Sequence, residues 1–224
     1  MNNYEAKEFY KNTDVAQQYN AQYKADLSLS NIVSKFYGWC EIRAFRRLLK
    51  NAAEGGRVLD VACGTGRYLR ELLGHGYAAG GIDISDEMLE FARKVSEGDR
   101  NLLFLRIGDA EKLPFDDDEF DGVTCIRLYQ RIPPENRLAM LREVKRVSGN
   151  WAILLFAMSN PWLKVRQRIR RTFIRGRHTA PNAVTMAEMC QELKAAGLKL
   201  EERTWVMPAI TTGMIVRVRC DGPE

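Results

Sequence analysis

The chain has 224 residues, 46% of them hydrophobic and 28% charged, the make-up of one soluble domain long enough to bury a core without crosslinks. Its longest apolar run, "WAILLFAM" at 151–158, falls far short of the ~20 residues that span a bilayer. The start, "MNNYEAKEFY", lacks the basic and apolar parts of a signal peptide, so the expected location is cytoplasmic. Five dispersed cysteines (40, 63, 125, 190, 220) form no Cys-x-x-Cys pair and read as buried free thiols, and with only His75 and His178 no metal site is expected. The net charge of +5 is modest, but residues 162–178, "WLKVRQRIRRTFIRGRH", hold seven Lys/Arg and no acid.

In chain order, residues 1–50 read as helical, with Ile42, Phe45, Leu48 and Leu49 at helical spacing. "EGG" breaks the chain before a short strand, "RVLDVA". A helix over "TGRYLRELL" follows, with Tyr68, Leu69, Leu72 and Leu73 on one face and Gly74 and Gly76 at its end. "AAGGIDIS" is a second buried strand. Ser85 then caps the helix "DEMLEFARKV", whose first-turn acids suit the helix dipole. "LLFLRIGDA" and "FDGVTCIRLY" are a third and fourth strand, separated by a polar turn over 116–119 that reads as solvated rather than calcium-binding. "PPENRLAMLREVKRV" is a helix entered through prolines, and "WAILLFAMS" a fifth strand. A helix over "TMAEMCQELKAAGL" precedes two strands, "EERTWVMP" and "GMIVRVRC", joined only by "AITTG". The alternation predicts an α/β fold: a doubly wound, three-layer, mostly parallel seven-stranded sheet ending in an antiparallel hairpin.

Such sheets bind ligands beyond the carboxyl ends of their strands. Asp60, Asp83 and Asp109 fall at three such ends, and although a lone Asp is more often a turn former, three in succession beside a glycine hinge point to a site. Gly64 and Gly66 let the backbone bend and approach a ligand, and the helix after them offers unpaired N–H groups to an anion. Asp60 can orient the loop or accept from an ammonium group. Asp83, about twenty residues on, stands where an acid receives a ribose diol. These residues fit either a dinucleotide or another nucleoside cofactor, except that Leu69 stands where the dinucleotide pattern G-x-G-x-x-G has its third glycine.

Taken together, "VLDVACGTGRYLREL", "GIDIS", "GDAEKLPFDDDEFDGVTC" and the closing hairpin resemble class I S-adenosylmethionine-dependent methyltransferases of the ubiquinone/menaquinone type, closely over residues 57–158 and more loosely beyond. The resemblance implies a Rossmann-like core over 55–224 with a basic insertion near 160–180, and a helical cap over 1–54. It implies S-adenosylmethionine as cofactor, with Asp60, Ala62, Gly64 and Gly66 beneath its methionine part. Asp83 would take the ribose hydroxyls, Ile84 would pack on the adenine, and Asp109 and the Ala110 backbone would meet the ring edge. Cys125 and Ile126 would lie along the cofactor facing the acceptor, with Tyr19 contributed by the cap.

Two departures from the family stand out. Ala62 occupies a position where the family commonly has glycine, which is tolerable if φ stays below zero. "LYQRIP" places Gln130 and Arg131 where many relatives carry histidines, so no histidine base is available and no catalytic residue is assigned; Tyr129, Tyr19 and Tyr23 are candidates for a base or for pocket wall. The expected reaction is methyl transfer to an O or N atom of a small or amphipathic, anionic acceptor. The basic stretch 162–178 would meet that acceptor or an anionic surface. Nucleic acid ranks lower, since the Asn/Asp-Pro-Pro-Tyr signature of base-methylating relatives is missing. The alternatives are an NAD-type oxidoreductase and a silent cofactor-binding member of the family.

Overall fold

A computed structural model describes residues 29–52, 55–159, 182–207 and 212–220. The apolar runs become seven strands: β1 (Arg57–Val61), β2 (Ala78–Asp83), β3 (Leu102–Ile107), β4 (Phe120–Cys125), β5 (Ser148–Ala157), β6 (Lys199–Trp205) and β7 (Gly213–Arg219). The helices are α1 (Leu29–Leu49), α2 (Arg67–Gly74), α3 (Asp86–Val95), α4 (Pro134–Val147) and α5 (Met186–Ala195), with a 3-10 turn at Tyr129–Arg131. The strands form one sheet in the order β3-β2-β1-β4-β5-β7-β6. All neighbours are parallel except β7, which runs antiparallel to both β5 and β6. The chain winds outward from β1 to β3 and then returns to lay β4 on the other side of β1. That reversal opens a crevice beyond the carboxyl ends of β1 and β4.

The period-2 geometry of β5 divides the core. Trp151, Ile153 and Leu155 face α1 and α2 in one apolar layer, whereas Ala152, Leu154 and Phe156 face α4 and α5 in the other. Leu59, Leu69, Leu72, Phe45, Leu48, Val144 and Phe156 are each fully buried, worth roughly 1.5–3 kcal/mol apiece. Close aromatic packing sets some glycines: a Cβ on Gly122 would lie 2.3 Å from the Trp151 ring. Ser85 caps α3 by accepting from the Met88 N–H at 3.3 Å. Thr185 and Glu188 form a reciprocal capping box on α5, which the T-x-x-E spacing encodes.

Several boundaries differ from those the pattern predicts, and β6 runs Lys199–Trp205 in place of 201–208. The apolar run "IRLY" does not extend β4, because Arg127 turns into the left-handed region at φ 67 and its side chain reaches Glu41. β3 stops at Ile107, two residues before Asp109. β5 begins earlier, at Ser148, because "SGN" is drawn into the ladder opposite Phe120. All five cysteines are free, and Cys63, Cys125 and Cys220 are buried, but Cys190 is exposed on α5, correcting the reading of it as a core thiol.

Helix α1 runs opposite to the parallel strands. Near its middle the Tyr37 hydroxyl lies 2.6 Å from where a Gly213 Cβ would be, and Gly213 pairs with Ala157, the last residue of β5. Beyond its end the Asn51 carbonyl accepts from Arg217, four residues further along β7. The first half of α1 therefore stands at the carboxyl edge of the sheet, beside the crevice.

Candidate functional site

Backbone bonds tie three strand ends into one frame. The Cys63 N–H donates to the Ile82 carbonyl at 2.9 Å, and the Gly108 N–H to the Asp83 carbonyl at 3.0 Å. Asp83, the last residue of β2, braces both neighbouring loops: its Oδ2 accepts from the Gly64 N–H at 2.8 Å and its Oδ1 from the Ser85 N–H at 3.0 Å. Burial raises its pKa, and the N–H groups of Ser85, Gly64 and Ile84 pull it back.

Asp60 lies one residue before the end of β1 and is 1% exposed. Its Oδ1 accepts from the Thr124 hydroxyl on β4 at 2.7 Å, and its buried Oδ2 has no hydrogen-bond partner. Its pKa is pushed up to about 7, chiefly by desolvation; Thr124 opposes the shift, the Asp83 charge adds to it, and the Leu69 N–H opposes it. The resemblance-based reading of the site overlooked Thr124. Desolvation, with the Asp60 and Asp83 charges, holds the Cys63 thiol well above its usual range, and desolvation with Asp60 does the same for Cys125. Neither thiol is a nucleophile at neutral pH.

The glycine loop takes left-handed backbone at three positions: Ala62 (φ 56), Gly64 (φ 55) and Gly66 (φ 79). The condition under which Ala62 was tolerable, φ below zero, is therefore not met. The loop must deliver the Cys63 N–H to Ile82 and the Gly64 N–H to Asp83 within two residues, and Ala62 supplies the turn despite a left-handed cost of about 1–2 kcal/mol. A Cβ at Gly66 would lie 2.9 Å from Val95 and 3.0 Å from the Ala92 backbone, so α2 starts hard against α3. The N-cap Gly66 offers no side-chain cap and no acid sits in the first turn of α2; the Leu69 N–H serves Asp60, and the Tyr68 N–H is left to an anion.

The other predicted residues spread around this frame. Asp109 is half-buried beyond β3, its Oδ1 accepting from the Glu111 N–H at 3.0 Å, and Ala110 packs against the core. Ile84 is half-buried beside Asp83. Cys125 and Ile126 are both buried and belong to the two opposite core layers. Tyr19, Tyr23 and the basic stretch 162–178 lie outside the described residues. Tyr129 is 1% exposed and donates its hydroxyl to Glu192, with Arg137 stacked 4.7 Å over its ring; burial and Glu192 raise its pKa, which suits an anchor and not a base. The next residue, Gln130, is buried with Oε1 lacking a partner. Among the described residues no group of three or more His, Cys, Asp or Glu side chains could hold a metal.

Sequence patterning also missed a charged cluster joining α1 to the crevice. Glu41, fully buried, accepts from the Arg127 Nε at 2.8 Å just after β4 and from the Tyr68 hydroxyl on α2. Arg67, the first residue of α2, donates to the Gly38 carbonyl. Burial and the Glu41 charge raise the pKa of Tyr37. The signal was an acid on the apolar face of a basic helix, four residues before Phe45 and seven before Leu48.

Comparison with known proteins places this geometry. Residues 58–149 match the family described as "Methyltransferase domain". The chain is 34% identical to the demethylmenaquinone methyltransferase of Staphylococcus saprophyticus over 60% of its length and 56% of the relative's. It is 43% identical to the phosphatidylethanolamine N-methyltransferase of Cereibacter sphaeroides over 46% of its length and 51% of the relative's. Each match thus spans about half the relative. In structure the chain is similar to magnesium protoporphyrin IX methyltransferase from Synechocystis with bound SAH, at a TM-score of 0.77 and 19% identity over 95% of this chain and 97% of that one.

Proposed function

We propose that this chain is a class I S-adenosylmethionine-dependent methyltransferase and transfers a methyl group to an O or N atom of a small or amphipathic, anionic acceptor, a reading supported by its family match, its relatives and its fold. The observation that carries this reading is the frame of Asp60, Asp83 and the left-handed glycine loop at the β1/β4 reversal. The residues present fit the cofactor: a buried, partnerless Asp60 Oδ2 suits an ammonium group, and a loop with no Cβ at Gly64 leaves room for close approach. Asp83 would take the ribose diol while still bracing Gly64. Ile84, Asp109 and the Ala110 backbone would hold the adenine, and Ala62, Gly66, Cys125 and Ile126 would shape the walls.

When bound, S-adenosylmethionine supplies an electrophilic sulfonium methyl. The residues of this chain align the acceptor and exclude water, a contribution worth about 7–11 kcal/mol where two reactants are held in attack geometry. A general base is needed only for a poorly acidic hydroxyl or a protonated amine. With Tyr129 bound to Glu192, that base is not Tyr129. The Gln130 Oε1 is a buried acceptor in the 3-10 turn after β4, suited to a donor hydrogen of the acceptor molecule. Under this reading residues 1–54 would form the cap, Tyr19 would contribute to binding of cofactor or acceptor, and the basic stretch 162–178 would meet the acceptor's negative charge or an anionic surface. The named relatives act on a quinone precursor and on a phospholipid, which supports a lipid-like acceptor in the cytoplasm or at its membrane face. No helix among the described residues is long and apolar enough to cross a membrane.

Calorimetric titration with S-adenosylmethionine and with NAD tests the cofactor. Binding of NAD alone overturns the reading in favour of an oxidoreductase. A radiolabelled methyl-transfer screen over quinone, phospholipid and extract fractions then tests turnover. Tight cofactor binding with no labelled product in any fraction would identify a silent member of the family.

A further inference from the structure

The exposed face of α1 is segregated along its length. Ile32, Val33, Phe36 and Trp39 are 51–64% exposed, and the Phe36 and Trp39 rings stack with centroids 6.0 Å apart. At 100° per residue, Ile32, Phe36 and Trp39 lie on one line that Arg43, Arg46 and Lys50 continue, with Arg47 beside it. Arg43 stacks over the Trp39 ring at 5.6 Å, joining the two halves. The basic half borders an open groove of about 830 Å³ whose lining includes Lys35, Arg43, Arg46, Arg47, Lys50 and Arg67 against one acid, Glu202. Arg46 is partly neutralised by Glu71, 2.5 Å away. Glu41, the only acid in α1, is buried on the opposite face.

We propose that this face of α1 docks on an anionic phospholipid surface, with the ridge Ile32–Trp39 inserted among the acyl chains and the groove cations against headgroup phosphates. Exposed large apolar side chains at successive turns mark an interaction surface, and an adjoining basic half selects a negatively charged one. The apolar ridge favours a bilayer over a polynucleotide, which would leave Ile32 and Val33 without apolar partners. Placement adds a reason. The ridge begins just N-terminal to Tyr37, at the carboxyl edge of the sheet, so a docked membrane would stand beside the crevice mouth. The inference deepens the anionic-surface part of the proposed function but assigns it to α1, and it does not depend on which atom is methylated.

The test is co-sedimentation of the full chain with vesicles of phosphatidylglycerol and phosphatidylcholine or of phosphatidylcholine alone, for the wild type, two exposed-site variants of α1, F36S/W39S and R43E/R47E, and a variant in the other basic stretch, R170E/R171E. The expected result is binding to the anionic vesicles at least about tenfold stronger than to the neutral ones, lost by at least about tenfold in R43E/R47E and also lost in F36S/W39S. Solution affinity for S-adenosylmethionine should stay unchanged in both α1 variants, so failure here is separable from failure of the methyltransferase reading. Binding lost only in R170E/R171E assigns the contact to 162–178 and overturns the proposal, as does absence of binding to anionic vesicles. Trp39 emission, isolated by difference against W39F, should be open to acrylamide without vesicles and shielded with them. Shielding before lipid is added means that a second copy or the chain's own N-terminal segment covers the ridge, which also overturns it.

Discussion

Removing Glu41 should destabilise the protein more than any exposed substitution, because it takes the buried carboxylate away from a half-buried cation. Glu41 has 1% of its side chain exposed, and its carboxylate accepts from Arg127 at 2.8 and 3.2 Å and from the Tyr68 hydroxyl. Breaking a buried pair from one side costs about 3–5 kcal/mol. Arg127 retains 22% exposure and can recover some hydration, which argues for the lower half of that range. The Tyr68 hydroxyl left without its acceptor adds about 1 kcal/mol. Glu41→Ala should therefore cost about 4–5 kcal/mol, lowering Tm by roughly 8–20 °C for a chain of this size, and Glu41→Gln, which keeps an acceptor, clearly less. Urea unfolding followed by circular dichroism measures both. Adding Arg127→Met to Glu41→Ala removes the charge that has lost Glu41 and should restore about 1–3 kcal/mol. A cost below 1 kcal/mol for Glu41→Ala, or no recovery in the double variant, would refute the view that this pair fastens α1 to the crevice.

Asp83→Ala should weaken S-adenosylmethionine binding at least about 100-fold in calorimetry, since two charge-assisted hydrogen bonds of about 1.5–3 kcal/mol each are lost. Unchanged affinity in a folded variant removes Asp83 from the site. Asp60 makes the free protein less stable as pH rises: with a native pKa of about 7 against ~3.9 unfolded, the native state holds more protons between those values, so its contribution to stability is fullest below about pH 4 and is lost as pH rises through 7. Between pH 5 and 8 the wild type should lose on the order of 2–3 kcal/mol relative to Asp60→Asn in urea midpoints, and equal slopes for the two proteins contradict the burial argument. Ala62→Gly relieves about 1–2 kcal/mol of left-handed strain and gives back about 0.4–1 kcal/mol through the looser unfolded chain. Tm should therefore rise by about 0–6 °C, and a fall means that Ala62 is not strained.

Much of this protein was legible in its sequence because local chemistry sets period and punctuation. Alternating apolar runs and helical spacing marked all seven strands and the helices between them, and Ser85 before two acids placed the start of α3 at the observed residue. The strand-end acids and the glycine pair marked the crevice for the same reason: a carboxylate ending an apolar strand has few uses other than a turn or a ligand. Tertiary structure alone decided what long-range closure imposes. Whether β7 lay outside β6 or between β5 and β6 depended on which edge the sheet offered, and no local pattern records that. The left-handed backbone at Ala62 follows from two bonds that must reach β2, although alanine by itself prefers the opposite sign of φ. The early end of β4 and the burial of Glu41 arise from one contact across 86 positions, in which the attraction of a paired charge outweighs the strand preference of "IRLY". Periodicity is written in neighbours; the partner of a buried charge is chosen only when distant segments meet.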